Sequence, residues 1–216
     1  MTTLNYQNSD DGKVERTGVL RQWFGPSQKE VWLKLAEALP GKYETRGWLK
    51  GSRVTAEVGP WQVTLDTVQR DKVVFTRLRA PFVNPEGFRF RVYRKSIFTN
   101  LGKALGMQDI DIGGDPMFDN DFVVKSNDEI RVRQLLSSPR LRMLIDAQPK
   151  IHFSVRDDEG WFGATFPEGV DELYFECCGV VKDHELLKGL FDLFAETLKR
   201  LCVMGSAYET PAGVKL

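Results

Sequence analysis

WQVTLDTVQRDKVVFTRLRAPFVNPEGFRFRVYR, residues 61–94, alternates between two kinds of side chain along most of its length. Leu78, Ala80 and Phe82 interleave with Arg77 and Arg79, and Phe88, Phe90 and Val92 interleave with Arg89 and Arg91. A period of two sends successive side chains to opposite faces of a strand, so the stretch predicts β-strands with one apolar and one basic face. Its breaks, Arg70-Asp71 and Asn84 to Gly87, are too short to hold crossover helices. The expectation is an antiparallel meander in which 72–82 pairs with 88–94. On the pairing that sets Arg79 opposite Arg89 and Arg77 opposite Arg91, all four arginines share the outer face. A regular tight turn at 84–87 gives the other parity, so that face requires a bulge or a wider loop.

Upstream, strand patterns at 43–49 and 53–58 extend the meander. Before them, Ser27 and Glu30 form a capping box for a helix that buries Val31, Trp32, Leu35 and Leu39 and stops at Pro40-Gly41. Downstream, the patterns predict a helix at 96–105 and a strand at 118–124. A second capping box, Ser126 with Glu129, starts a helix to about 136, and Ser138-Pro139 starts another carrying Leu141, Leu144 and Ile145. Strands follow at 150–156, 161–166 and 172–179. A long helix at 183–204 carries Leu187, Leu190, Phe191, Phe194, Leu198 and Leu201 as its buried stripe. The fold class is α+β, with antiparallel sheets and packed helices. The expected organisation is a flexible segment at 1–16, then 17–204 as one domain or as two small lobes joined near 96–114, then a tail at 205–216.

The 216 residues carry 30 Lys plus Arg against 30 Asp plus Glu, so no whole-molecule field draws the chain to nucleic acid or an anionic membrane. Phe88 and Phe90 belong to the inner face, where they cannot stack on bases. Three cysteines, an odd number, do not make a disulfide framework. The first residues lack the basic and apolar regions of a secretion signal, and no run approaches the roughly 18 apolar residues of a membrane span. The expectation is a cytoplasmic protein with no membrane span.

Residues 114–145, GDPMFDNDFVVKSNDEIRVRQLLSSPRLRMLI, resemble an uncharacterised bacterial domain family whose members are often membrane-anchored. The resemblance rests on Asp115, Pro116, Phe118, Phe122, Val124 and Asp128, then Leu135, Leu136 and Pro139, and extends over the C-terminal half. These are apolar and capping positions, so the resemblance implies a shared fold and brings no catalytic residue. This chain departs from the membrane-anchored pattern in having no transmembrane hairpin.

Two constellations hold side chains capable of chemistry. Asp109, Asp111, Asp115 and Asp119 supply the hard oxygen ligands that calcium and magnesium select, and Gly113-Gly114 would let the backbone fold around an ion. The spacing is not that of an EF-hand: counted from Asp109, glycine stands at the fifth position and Asn120 at the twelfth. The competing reading makes these aspartates loop and turn caps, with Asp119 and Asp121 on the outer side of a strand that points Phe118 and Phe122 inward. The second constellation is Arg77, Arg79, Arg89 and Arg91. Like charges opposed across a ladder cost up to about 1 kcal/mol, so this face needs either an anion or facing carboxylates such as Asp66. His152 and His184 have no HxH or HExxH neighbour, and no CxxC, GxGxxG or P-loop occurs. The sequence therefore leans away from an enzyme. It points to a non-catalytic binding or scaffold protein that engages a protein partner or a small anion and has no resident cofactor. The alternative is a hydrolase or phosphate-processing enzyme whose divalent cation sits in the aspartate loop.

Overall fold

The computed structural model describes residues 25–45, 51–97, 108–157, 166–214 and 216. The expected flexible segment at 1–16, most of the expected helix at 96–105 and all but the last residue of the expected strand at 161–166 lie outside these. The described chain runs α1 (Gln28–Ala38), β1 (Gly41–Thr45), β2 (Ser52–Val58), β3 (Trp61–Arg70), β4 (Val73–Val83), β5 (Phe90–Arg94), a 3-10 turn (Lys95–Ile97), and β6 (Gln108–Asp109). It continues through α2 (Pro116–Asp121), β7 (Phe122–Ser126), α3 (Glu129–Leu136), α4 (Pro139–Asp146), β8 (His152–Arg156), β9 (Val170–Cys178) and α5 (His184–Val203). This is an α+β architecture, and every described strand joins one antiparallel sheet in the order β1-β2-β3-β4-β9-β8-β5-β7-β6.

The first four strands form the expected meander. Its β2–β3 turn is two residues long, and Gly59, at φ 60, supplies the positive dihedral such a turn requires at its first position. The expected β4–β5 pairing is absent. β4 pairs with β9, and β5 pairs with β7 and β8, so two strands separate β4 from β5. The six residues Asn84 to Arg89 explain how so short a connection suffices. Extended, they reach about 20 Å, and three strand spacings of about 4.8 Å come to about 14 Å. The Asn84 side chain braces the crossing by bonding both backbone groups of Phe88, at 3.0 and 3.2 Å, and the Asp171 carboxylate at 2.5 Å.

One row of cross-strand partners reads Val54, Leu65, Leu78, Phe175, Phe153, Val92 and Val124, apolar across seven strands. The helices cover this face. α1 begins at the expected capping box, with Ser27 N to Glu30 at 3.0 Å and Glu30 N to Ser27 Oγ at 3.3 Å. Its Trp32 is fully buried and donates Nε1–H to the Val181 carbonyl at 3.1 Å, tying the helix to the segment that leads into α5. α5 buries the expected stripe, together with Leu193 and Thr197, and its Phe194 ring meets Phe153 of β8 at 5.7 Å.

Around the aspartate-rich segment the expected elements shift. Residues 116–121 are helix, and the strand starts only at Phe122. Asp115 caps α2 by accepting from Phe118 N, and Pro116 occupies the first helical position, where a missing N–H costs nothing. Phe118 and Phe122 are both buried, but as stacked rings 4.6 Å apart at helical spacing rather than as alternate strand positions. The cap of α3 is Asp128, which accepts from Arg131 N, and not Ser126. Ser126 ends β7, and its hydroxyl donates to Arg89 O at 2.8 Å. Ser138 and Pro139 begin α4 as expected.

The buried stripe of α5 makes a sharp stability contrast. Phe191→Ala leaves a cavity under the sheet and should cost about 3 to 5 kcal/mol in urea denaturation. Lys199→Ala, on the exposed side, should cost less than about 0.5 kcal/mol. Equal losses would mean that α5 buries a different face.

Candidate anion-binding face

One residue away from the apolar row, the register reads Glu44, Arg53, Asp66, Arg77, Glu176, His152 and Tyr93. The next row on the same side reads Thr64, Arg79, Tyr174, Ser154, Arg91 and Lys125. These rows form the second face of the sheet, polar but largely closed: Thr64, Asp66, Arg79, Ser154 and Tyr174 are all buried. Charges held there need partners, because an isolated buried ion is expensive.

Most of the arginines have them. Asp66, the acid opposite β4, receives Arg77 through two bonds, Nε to Oδ1 at 2.9 Å and Nη2 to Oδ2 at 3.0 Å. Arg79 Nη2 reaches the same Oδ2 at 2.8 Å, so one buried carboxylate serves two guanidiniums. Arg89 turns to Asp157 at 2.8 Å and to Asp171 at 3.5 Å. Arg70 binds Glu176 at 2.7 Å, and Tyr174 donates to the same carboxylate at 2.5 Å. Burial opposes ionisation of Glu176, but these hydrogen bonds from Arg70 and Tyr174 outweigh it and hold the carboxyl below its ordinary range.

Arg91 differs. It lies on the same face as Arg77 and Arg79, separated from them by β9 and β8, and no carboxylate among the described residues pairs with it. Its cross-strand neighbours are Ser154 and Lys125, and Arg156 stands two residues along β8 as its diagonal neighbour. Arg156 lies over the Tyr174 ring at 3.5 Å and donates to Ser154 Oγ at 3.2 Å. Burial, and then the Arg156 charge, lower the Arg91 pKa. The same surroundings act on His152, whose ring packs edge-on against Tyr93 and whose Nδ1 lies 3.5 Å from Arg156 Nη2. Burial first, then Arg156 and Arg91, push its pKa down to about 3. Arg91 and Arg156 thus stand as neighbouring cations, with Glu172 the cross-strand partner of Arg156 on the β9 side. Arg156 and Lys125 were not singled out from the sequence, although the alternation of His152, Ser154 and Arg156 along one strand was the available signal.

The aspartate loop is built differently. Asp119 accepts from Ile112 N and Gly113 N, both at 3.0 Å, and Asp111 accepts from the same Gly113 N at 3.0 Å. Asp115 caps α2 and pairs with Arg142 at 3.1 Å. The Asp109 backbone pairs with Lys125, and its side chain lies outside what the structure describes. Among the described residues, no group of three or more His, Cys, Asp or Glu is arranged to hold a metal ion. No helix among the described residues is long and apolar enough to cross a membrane. The three cysteines are free thiols, and burial pushes Cys177 up to about 11. No protein-family model, curated protein or solved structure matches this chain.

Two outcomes follow from this geometry. His152 has a folded pKa near 3 against about 6.5 when unfolded, so the native state binds fewer protons between those values. Its contribution is fully present above pH 6.5 and is lost as the pH falls toward 3. Urea titrations of the wild type and His152→Gln should therefore diverge below pH 6.5, with a slope difference approaching about 1.4 kcal/mol per pH unit. Parallel curves would show that the imidazole titrates normally. In the aspartate loop the carboxylates already serve backbone amides, so millimolar magnesium, calcium or manganese should barely move the melting temperature. A bound ion at about 100 times its Kd would add about 2.7 kcal/mol, and a rise of several degrees abolished by Asp111→Asn would establish a metal site.

Proposed function

We propose that this chain is a non-catalytic binding protein whose ligand is a small anion, a phosphate or carboxylate, held on the polar face of the sheet by Arg91 and Arg156. The observation that carries the reading is the contrast among four arginines on one strand system. Arg77, Arg79 and Arg89 reach Asp66, Asp157 or Asp171, whereas Arg91 has no carboxylate among the described residues. A guanidinium donates in a planar fork suited to oxyanions, and it stays charged even where burial lowers its pKa.

The tuning of the nearby groups favours binding over proton transfer. His152 sits near 3, and burial raises Tyr174 to about 12, so neither exchanges a proton near neutral pH. The reading includes a cytoplasmic setting, supported by the three free thiols. It also includes kinship with the uncharacterised bacterial domain family, supported by Asp115 and Asp128 as helix caps and by Phe118, Phe122 and Val124 in the core.

Isothermal titration with inorganic phosphate, pyrophosphate and citrate tests the site. At least one should bind, more weakly as salt rises. Arg91→Ala and Arg156→Ala should each lower that affinity at least about tenfold, a loss of about 1.4 kcal/mol, while Lys199→Ala leaves it unchanged. Absence of binding by all three anions, or undiminished binding in the Arg91→Ala/Arg156→Ala double variant, would remove the proposal.

A further inference from the structure

Two of the large hydrophobic side chains left exposed among the described residues lie in the same groove. Met117 of α2 is 80% exposed and Met143 of α4 is 61% exposed, and they flank a groove of about 330 Å³ floored by Phe118 and Phe122. Exposed apolar groups gathered around a concavity mark a contact surface, and methionine's unbranched, polarisable side chain adapts to varied partners. The rim is acidic where a partner would meet it. Asp121 and Asp146 have side chains 47% and 64% exposed, while Arg94, which pairs with both at 3.4 and 2.9 Å, is drawn inward over the Phe122 ring and is only 17% exposed. Asp115 completes the rim, with the sunken Arg142 as its partner. An incoming cation therefore meets carboxylates first and guanidiniums behind them.

From this charge pattern we infer that the groove docks a partner protein through a segment that places an aliphatic side chain between Met117 and Met143 and a Lys or Arg on the Asp121–Asp146 rim. The surface is separate from the anion face and does not depend on it. The test uses the full chain labelled with ¹³C-methyl methionine and a 14-residue amphipathic Leu/Lys peptide as the probe. Saturable shifts confined to the Met117 and Met143 methyls are expected, with little response to a Leu/Glu peptide of the same pattern. Met117→Lys should weaken the peptide at least about tenfold without changing the melting temperature, and Met143→Gln provides a milder second variant. The inference is overturned by an absence of shifts, by equal shifts at Met1, Met107 or Met204, or by equal binding of the Leu/Glu peptide. Concentration-dependent shifts without peptide would assign the groove to a second copy of the chain and overturn it as well.

Discussion

The register of the sheet is the constraint on which everything else depends. The row from Val54 through Leu78 and Phe153 to Val124 lies beneath the helices. The row one residue away, from Arg53 through Asp66 and Glu176 to Tyr93, lies on the other side. Because the side-chain period is two, a slip of one residue at any strand would drive its charges under α5 and its core residues out of it. The helices enforce the choice: Trp32, Phe191 and Phe194 find an apolar surface in only one of the two arrangements.

The polar face then carries its own requirement. Its central residues are buried, so each charge must find a counter-charge or a hydrogen bond. Asp66 satisfies Arg77 and Arg79 on the adjacent β4, and Glu176 of β9 satisfies Arg70 of β3 across the intervening β4. Such networks contribute less to net stability than an apolar layer would, but removing one member strands the others. At the β8–β5 boundary Arg91 has no carboxylate partner among the described residues, while Arg156 stands opposite Glu172 on its β9 side and near Arg91 on the other. Burial first, and then the charges of Arg156 and Arg91, lower the pKa of the neighbouring His152.

The aspartate-rich segment shows how composition and use diverge. A run of carboxylates beside two glycines invites a metal, yet Asp119 and Asp111 are turned onto the amides of Ile112 and Gly113, and Asp115 onto the amide of Phe118. Arg133 closes the loop from the α3 side by donating to the Ile112 carbonyl at 2.9 Å. The acids act as anchors for a backbone that carries the chain from β6 to the short helix α2. That helix in turn presents Met117 to solvent.

What the chain's own pattern determined was local. Alternation marked the strands of the meander, Ser27 with Glu30 marked the start of α1, the stripe from Leu187 to Leu201 marked α5, and the sharing of one face by Arg77 and Arg79 followed from spacing alone. These readings depend on residues within a few positions of one another, where periodicity and capping chemistry act. They were weaker at 116–128, where Phe118 and Phe122 fit a strand or a helix equally well and the Pro116 start signal decided for helix. The tertiary structure alone decided which strands meet. Nothing near residue 84 announces that β9 and β8 will enter between β4 and β5, because that pairing joins Arg79 to Tyr174 and Arg91 to Ser154 across long stretches of chain. Strand partners are selected by the burial of whole faces against helices, a property of the assembled core. That selection separated Arg91 from the acids that neutralise its sequence neighbours and set it beside Arg156.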